Sequence, residues 1–189
     1  KATPLHGEDR WIGTIRGYHF PINSMTSAGS AIMSKSMDRL VKIAKKYKPR
    51  GVFIKFRRDH YLTPAHAGIL HDGTKILYVP KLESREALFL FLHECAHHHL
   101  GHLKPGYREP MWKMEYDAEM WAMRTMRSEG MRVPRAIIAE AKRYVAECAG
   151  KSENIPDAKV RTWTQRKFKD RTTRIPYYRK PKRKQRKED

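Results

Sequence analysis

The chain has 189 residues, 40% of them hydrophobic, which is enough for one domain with a modest core and some extension. No run of about 18 apolar residues occurs, residues 1–16 lack the apolar centre of a signal peptide, and two cysteines are too few for a disulfide framework. We therefore expect a protein of a reducing compartment without a membrane-spanning helix. Its net charge of +20 indicates a polyanionic partner, such as nucleic acid, an acidic protein or an anionic surface.

The first predicted elements are a strand, a loop and a helix. Residues 11–20 favour a strand, and the stretch 23–34, rich in Ser, Gly and Ala, favours a loop. An amphipathic helix is predicted over 36–47. Its apolar face is formed by Met37, Leu40, Val41, Ala44 and Tyr47.

A small sheet is predicted after this helix. Residues 52–56 form a short apolar strand, and two further apolar runs, 67–70 and 75–79, flank Asp72-Gly73. An Asp-Gly pair between two such runs is a strong hairpin signal. The sequence therefore predicts an antiparallel sheet that contains a hairpin.

Three helices follow the hairpin, over 84–100, 110–128 and 134–149, and Ser84 is predicted to cap the first. The first is apolar on every side around 87–92, which places it in the centre of the domain. The order of elements predicts an α+β fold, in which a small antiparallel sheet packs on a helical layer that contains this buried helix.

The sequence divides into an N-terminal extension over 1–35, a central domain over 36–150 and a basic tail over 151–189. The last 32 residues hold 14 Lys or Arg against 3 Asp or Glu. Basic residues mixed with aromatic ones suit phosphates and stacked bases, so we expect the tail to be disordered alone and ordered by nucleic acid or another polyanion. A solvated solubility tail is the alternative. The candidate nucleic-acid residues are Arg161, Trp163, Arg166, Lys167, Lys169, Arg171, Arg174, Arg179, Lys180, Lys182, Arg183 and Lys184.

The strongest chemical signal is the H-E-x-x-H motif of residues 93–97, on the buried helix. His93 and His97 are one turn apart on the same face, so both imidazoles can bind one zinc ion. Glu94 is predicted as the general base that accepts a proton from the attacking water and passes it to the leaving amine. Two core histidines without a metal are the alternative.

The third ligand is expected from the next helix, where Glu115, Asp117 and Glu119 are the candidates. Asp117 falls within an apolar stripe, where a buried carboxylate is costly unless a metal compensates it. We therefore prefer Asp117, with Glu115 as the alternative. A third histidine ligand is not expected, because Gly101 and His102 do not fit the longer H-E-x-x-H-x-x-G-x-x-H pattern. His102 is instead predicted to lie at the C-terminal end of the helix, where a histidine interacts favourably with the helix dipole.

Together these residues resemble the ImmA/IrrE-type zinc metallopeptidases of bacteria and phages. The resemblance covers about residues 36–150 and rests on the strand 52–56, the hairpin ending at 76–80, the H-E-x-x-H helix 88–100 and the run Asp117-Ala118-x-x-Trp121-Ala122. The family usually shows Glu-Ala-x-x-Phe-Ala in that run, so this chain has the shorter carboxylate.

The resemblance implies a gluzincin-like fold, one zinc ion and peptidase activity in the cytoplasm of a bacterium or of a phage-infected cell. It implies that His93, His97 and Asp117 are ligands and Glu94 is the catalytic base. Three functions remain open on the sequence. They are a zinc peptidase acting on a protein associated with nucleic acid, a nucleic-acid-binding or assembly protein with an inactive zinc domain, and a metal-dependent hydrolase of another class.

Overall fold

The computed structural model describes residues 10–13, 30–57 and 65–166. Its strands are β1 (Arg10–Gly13), β2 (Val52–Arg57), β3 (His66–Ile69) and β4 (Lys75–Pro80). Its helices are α1 (Ser30–Tyr47), α2 (Arg85–His99), α3 (Met111–Ser128), α4 (Arg135–Cys148) and α5 (Ala158–Gln165). The predicted α+β class is confirmed. None of the helices in these ranges combines the length and apolar composition that crossing a membrane requires.

The four strands form one mixed sheet in the order β1-β3-β4-β2. β3 pairs antiparallel with both β1 and β4, whereas β2 runs parallel to β4. The prediction of a purely antiparallel sheet is therefore wrong. The hairpin signal fixes only the direction of β3 against β4, and β2 joins the far edge of β4 rather than its neighbour in sequence, which no local pattern encodes.

The predicted hairpin is confirmed between β3 and β4. The Asp72 carboxylate accepts a hydrogen bond of 2.9 Å from the Thr74 amide, and Gly73 adopts a φ of 81°. A left-handed residue suits glycine, and an Asx-type bond stabilises the turn around it. Of the strand predicted over 11–20, β1 covers the beginning, and residues 14–20 lie outside the described ranges.

Helix α1 begins at Ser30, so it extends into the stretch 23–34 that was predicted as a loop. Between residues 36 and 47 its buried residues are Leu40, Ile43 and Ala44, while Val41 is 36% exposed. The buried face is therefore rotated slightly from the predicted one. The helix ends at Tyr47, as predicted, and its buried face packs against α2.

Helix α2 passes through the centre of the domain. The Ser84 hydroxyl caps it by accepting a 3.1 Å hydrogen bond from the Ala87 amide, as predicted. Ten of the eleven positions from Ala87 to His97 are buried, and Leu90 is half-buried. α2 lies against α1, α3 and the sheet, so the polar residues between positions 87 and 97 are removed from water.

The first part of the predicted tail is structured. A 3₁₀ turn at Ser152–Asn154 leads into α5, which packs on α4. Ile155 and Val160 are buried with Tyr116 and Val145 in a second apolar cluster. The expectation that the whole of 151–189 is disordered alone is therefore wrong for 151–166, because this segment carries apolar residues that cover the outer side of α3 and α4.

Candidate metal centre

The candidate metal centre lies between α2 and α3. His93 and His97 are one turn apart on α2, and Glu115 is in the first turns of α3. All three side chains are at most 1% exposed, and their ligand atoms lie within 4.8 Å of one another. The H-E-x-x-H pair and one carboxylate of the next helix thus form a group that could hold a metal ion.

The distances within this group suit a small divalent ion. The Nε2 atoms of His93 and His97 are 3.2 Å apart. Glu115 Oε2 lies 3.2 Å from His93 Nε2, and Glu115 Oε1 lies 3.7 Å from His97 Nε2. An ion bound tetrahedrally at about 2.0–2.1 Å spaces its ligands about 3.3 Å apart. The side chains therefore converge at nearly the separation that such an ion requires.

Burial gives this group an energetic cost in the absence of a cation. Removing carboxylates and imidazoles from water is unfavourable unless charge and hydrogen bonds compensate them. The neighbouring residues on α2, including Phe89, Leu92 and Ala96, are themselves apolar and buried. A bound cation would offset the cost, so the chemistry of the donor set fits a metal.

Glu94 is the residue predicted as the general base. It is 1% exposed and follows His93 directly on α2, so it is enclosed in the same part of the domain. Its carboxylate is thus kept from bulk water. Its catalytic role stays a prediction.

Asp117, the preferred third ligand, is not part of the group. Its carboxylate is 31% exposed and forms an ion pair with Lys113, one turn earlier on the same helix. The alternative, Glu115, takes the position instead. Asp117 is two residues from Glu115, which turns its side chain by about 200° around the helix axis and away from α2.

The error comes from counting only apolar residues. The stripe of α3 that is buried against α2 includes Glu115, Ala118, Glu119, Ala122 and Met126, spaced by three and four residues. Two of its members are carboxylates, which a hydrophobic pattern treats as surface. The sequence pattern therefore favours a stripe through Asp117 and Trp121, although both residues are only partly buried in the structure.

Two further residues contact the histidines from outside the group. Glu119 Oε1 lies 3.5 Å from His93 Nδ1, and His102 Nδ1 lies 2.9 Å from His97 Nδ1. Burial lowers the pKa of His102, against the opposing effect of Asp117 and Glu115, and so favours the neutral form of its ring. The sequence contained one signal for Glu119, namely its i+4 spacing from Glu115.

The remaining groups around α2 have structural partners. His98 lies 3.3 Å from the Ile76 carbonyl oxygen, and burial lowers its pKa. His99 lies 2.9 Å from the Tyr47 carbonyl oxygen and stacks on Trp121. Burial raises the pKa of the Cys95 thiol well above its usual range, which makes it unreactive.

Three of the candidate nucleic-acid residues lie in the described ranges. Trp163 packs edge-on against Tyr116, and Lys142 Nζ lies 5.7 Å from the centre of the Trp163 ring. Arg161 donates a 3.0 Å hydrogen bond to the Ile155 carbonyl, and the Arg166 carbonyl accepts one of 2.7 Å from Lys142. Trp163 and Arg161 therefore take part in packing within the domain. The other nine, from Lys167 to Lys184, lie outside the described ranges.

Comparisons of this chain with family models, with curated proteins and with solved structures gave no match. The assignment of a candidate metal centre therefore rests on the geometry of its residues.

Proposed function

We propose that this protein is a zinc-dependent peptidase that acts on a protein associated with nucleic acid. The observation that carries the proposal is the buried His93, His97 and Glu115 group, with a second carboxylate, Glu94, directly beside His93 on α2. A site that serves only to hold a metal has no need of the second carboxylate, whereas hydrolysis requires a base near the attacking water.

Zinc is the ion we assign to this group. Two imidazole nitrogens and one carboxylate oxygen form a donor set typical of catalytic zinc, which keeps a fourth position for water or substrate. Structural zinc sites usually have four protein ligands, rich in cysteine. Among the described residues, His93, His97 and Glu115 form the one group of three potential ligands whose ligand atoms converge.

Each of these residues has a distinct role in the proposed reaction. His93, His97 and Glu115 would hold the ion, and the chemistry that zinc supplies when bound is a lowered pKa of water and a polarised substrate carbonyl. Glu94 would accept the proton of the attacking water and deliver it to the leaving amine. The enclosure of α2 limits competing water, which strengthens each electrostatic contact at the site.

The link to nucleic acid rests on charge. Residues 167–189 hold 11 Lys or Arg against 3 Asp or Glu, together with Phe168, Tyr177 and Tyr178. Such a segment can neutralise phosphates and stack on unpaired bases. We propose that it concentrates the peptidase on a nucleic-acid scaffold that carries its substrate. Membership of the ImmA/IrrE-type family and a place in bacterial cytoplasm are part of the same proposal.

The test uses a peptide library made by digesting a bacterial proteome, because the substrate is unidentified. Wild type loaded with zinc should produce new peptide termini, detected by mass spectrometry, and Glu94→Gln should produce none while still binding zinc. Asp117→Asn is the matched control and should cleave like wild type. Identical termini from wild type and Glu94→Gln would contradict the assignment. Absence of any zinc-dependent product would favour the non-cleaving, nucleic-acid-binding alternative.

A further inference from the structure

The C-terminal cap of α2 brings a third histidine to the candidate metal centre. The Leu100 amide donates to the Ala96 carbonyl, Gly101 turns the chain with a φ of 76°, and the His102 amide donates to the His97 carbonyl at 3.0 Å. This is the Schellman motif. In it, the amide of the second residue after the C-cap donates to the carbonyl of the third residue before the C-cap. In this helix those two residues are His102 and His97.

The side-chain contact in this cap is unusual. A Schellman cap commonly carries an apolar contact at this position. Here the two imidazoles meet instead through their Nδ1 atoms, 2.9 Å apart, with ring planes at 67°. His97 is fully buried and His102 is 4% exposed, so water does not compete for this hydrogen bond.

The hydrogen bond has only one direction once His97 binds a metal. A neutral imidazole that coordinates through Nε2 carries its proton on Nδ1, so His97 must donate. His102 must then accept at Nδ1 and carry its own proton on Nε2. We propose that His102 is a positioning residue that fixes the tautomer and the ring orientation of His97 for metal binding. This inference rests on the proposed zinc site.

The neighbouring histidines provide an internal contrast. His98 and His99 are also near the end of α2, but their Nε2 atoms face the backbone carbonyls of Ile76 and Tyr47. Both rings are thus directed at main-chain oxygens rather than at the ring of a candidate ligand. A role at the helix end is therefore common to all three, whereas a role in orienting a ligand is specific to His102. Partners outside the first coordination shell typically change metal affinity by 10- to 100-fold.

Two substitutions separate positioning from packing. His102→Leu supplies the apolar contact that the cap usually has but cannot accept a hydrogen bond. His102→Asn keeps an acceptor oxygen near the place of Nδ1. We expect His102→Leu to keep the melting temperature of the metal-free protein and to lose about 10- to 100-fold in zinc affinity, measured by competition with a chelator. His102→Asn should restore most of that affinity, and His99→Asn, the control, should change it little.

A spectroscopic readout follows the proton itself. In the Co²⁺-loaded protein, the Nδ1 proton of His97 should give a paramagnetically shifted, slowly exchanging NMR signal in wild type and in His102→Asn. His102→Leu should lose this signal or exchange it rapidly. If His102→Leu and wild type bind zinc with affinities within twofold, the inference is overturned and the zinc site is unaffected. An equal loss of zinc affinity in both His102 variants would also overturn the inference. Failure of wild type to bind zinc would overturn the proposed function and this inference together.

Discussion

Helix α3 is buried on two sides, and the two sides differ in chemistry. Toward α2 it presents Glu115 and Glu119, both at most 1% exposed. Toward α4 and α5 it presents Tyr116, in an apolar cluster with Ile155 and Val160. Burial alone therefore does not distinguish the two sides. The apolar side gains free energy from leaving water, whereas the carboxylate side loses it unless a cation is bound.

The difference separates residues that stabilise the fold from residues that the fold keeps buried at a cost in free energy. A carboxylate kept in an enclosed position against its own desolvation is typical of a functional site. The apolar side of α3 fixes the helix against α4 and α5, and so fixes the depth at which Glu115 meets the two histidines. Substitutions on the two sides should consequently affect different measurements, metal affinity on one and stability on the other.

The largest effect is expected at the third ligand. Glu115→Gln removes the anionic ligand and should lower zinc affinity by more than the roughly 10- to 100-fold that outer residues cost. Asp117→Asn is the matched control, two residues away and paired with Lys113 on the exposed side. It should leave zinc affinity unchanged. Competition with a chelator measures both, and equal losses in the two variants would contradict the assignment of Glu115.

The second effect tests the apolar side by truncation. A chain ending at Ala149 loses Ile155 and Val160, whose burial is worth roughly 1.5–3 kcal/mol each, and exposes Tyr116. Urea denaturation should show a free energy of unfolding lower by about 3–6 kcal/mol. A chain ending at Arg166 keeps these contacts and should match the full chain in stability. If the shorter chain is as stable as the longer one, α5 is not part of the folded domain.

The same two truncations separate folding from binding of nucleic acid. The chain ending at Arg166 should lose most of the salt-dependent affinity for single-stranded RNA and DNA, since the proposed phosphate contacts lie beyond it. Each lost contact removes a slope of about 0.7 in log affinity against log salt on a single strand. Equal binding by the full chain and this truncation would show that the tail does not carry the affinity.

The sequence predicted most elements of the fold and two of the three residues of the candidate metal group. Periodicity and caps located the helices from α2 to α4, because apolar spacing and Ser84 act locally. The pairing of β2 with β4 was not predictable from local patterns, since it depends on which strand edge is free. Likewise His93 and His97 follow from spacing within one helix, but the choice of Glu115 over Asp117 depends on how α3 is rotated against α2. That rotation is set by packing of the whole α3–α4–α5 unit.

A smaller effect, with opposite signs in two measurements, is expected at Glu119. Its carboxylate lies 3.5 Å from His93 Nδ1 and is fully buried. Glu119→Met has a similar volume and removes a buried charge, so the metal-free protein should be equally or more stable. Its zinc affinity should nevertheless fall by about 10- to 100-fold, because His93 loses the partner of its second nitrogen. Calorimetry of the metal-free protein and chelator competition measure the two effects, and a parallel loss in both would indicate a purely structural residue.

The smallest effect is expected on the third, partly exposed side of α3, at the ion pair between Lys113 and Asp117. Both side chains are about one third exposed, 32% and 31%, so water and salt screen their attraction. An i, i+4 pair of this kind is worth about 0.3–0.5 kcal/mol. Lys113→Ala should therefore lower the free energy of unfolding by less than about 1 kcal/mol, and added salt should reduce the difference further. Urea denaturation at low and high salt measures it. A loss of several kcal/mol, or a change in zinc affinity, would mean that this side of α3 is coupled to the metal centre and that the separation between its faces is incomplete.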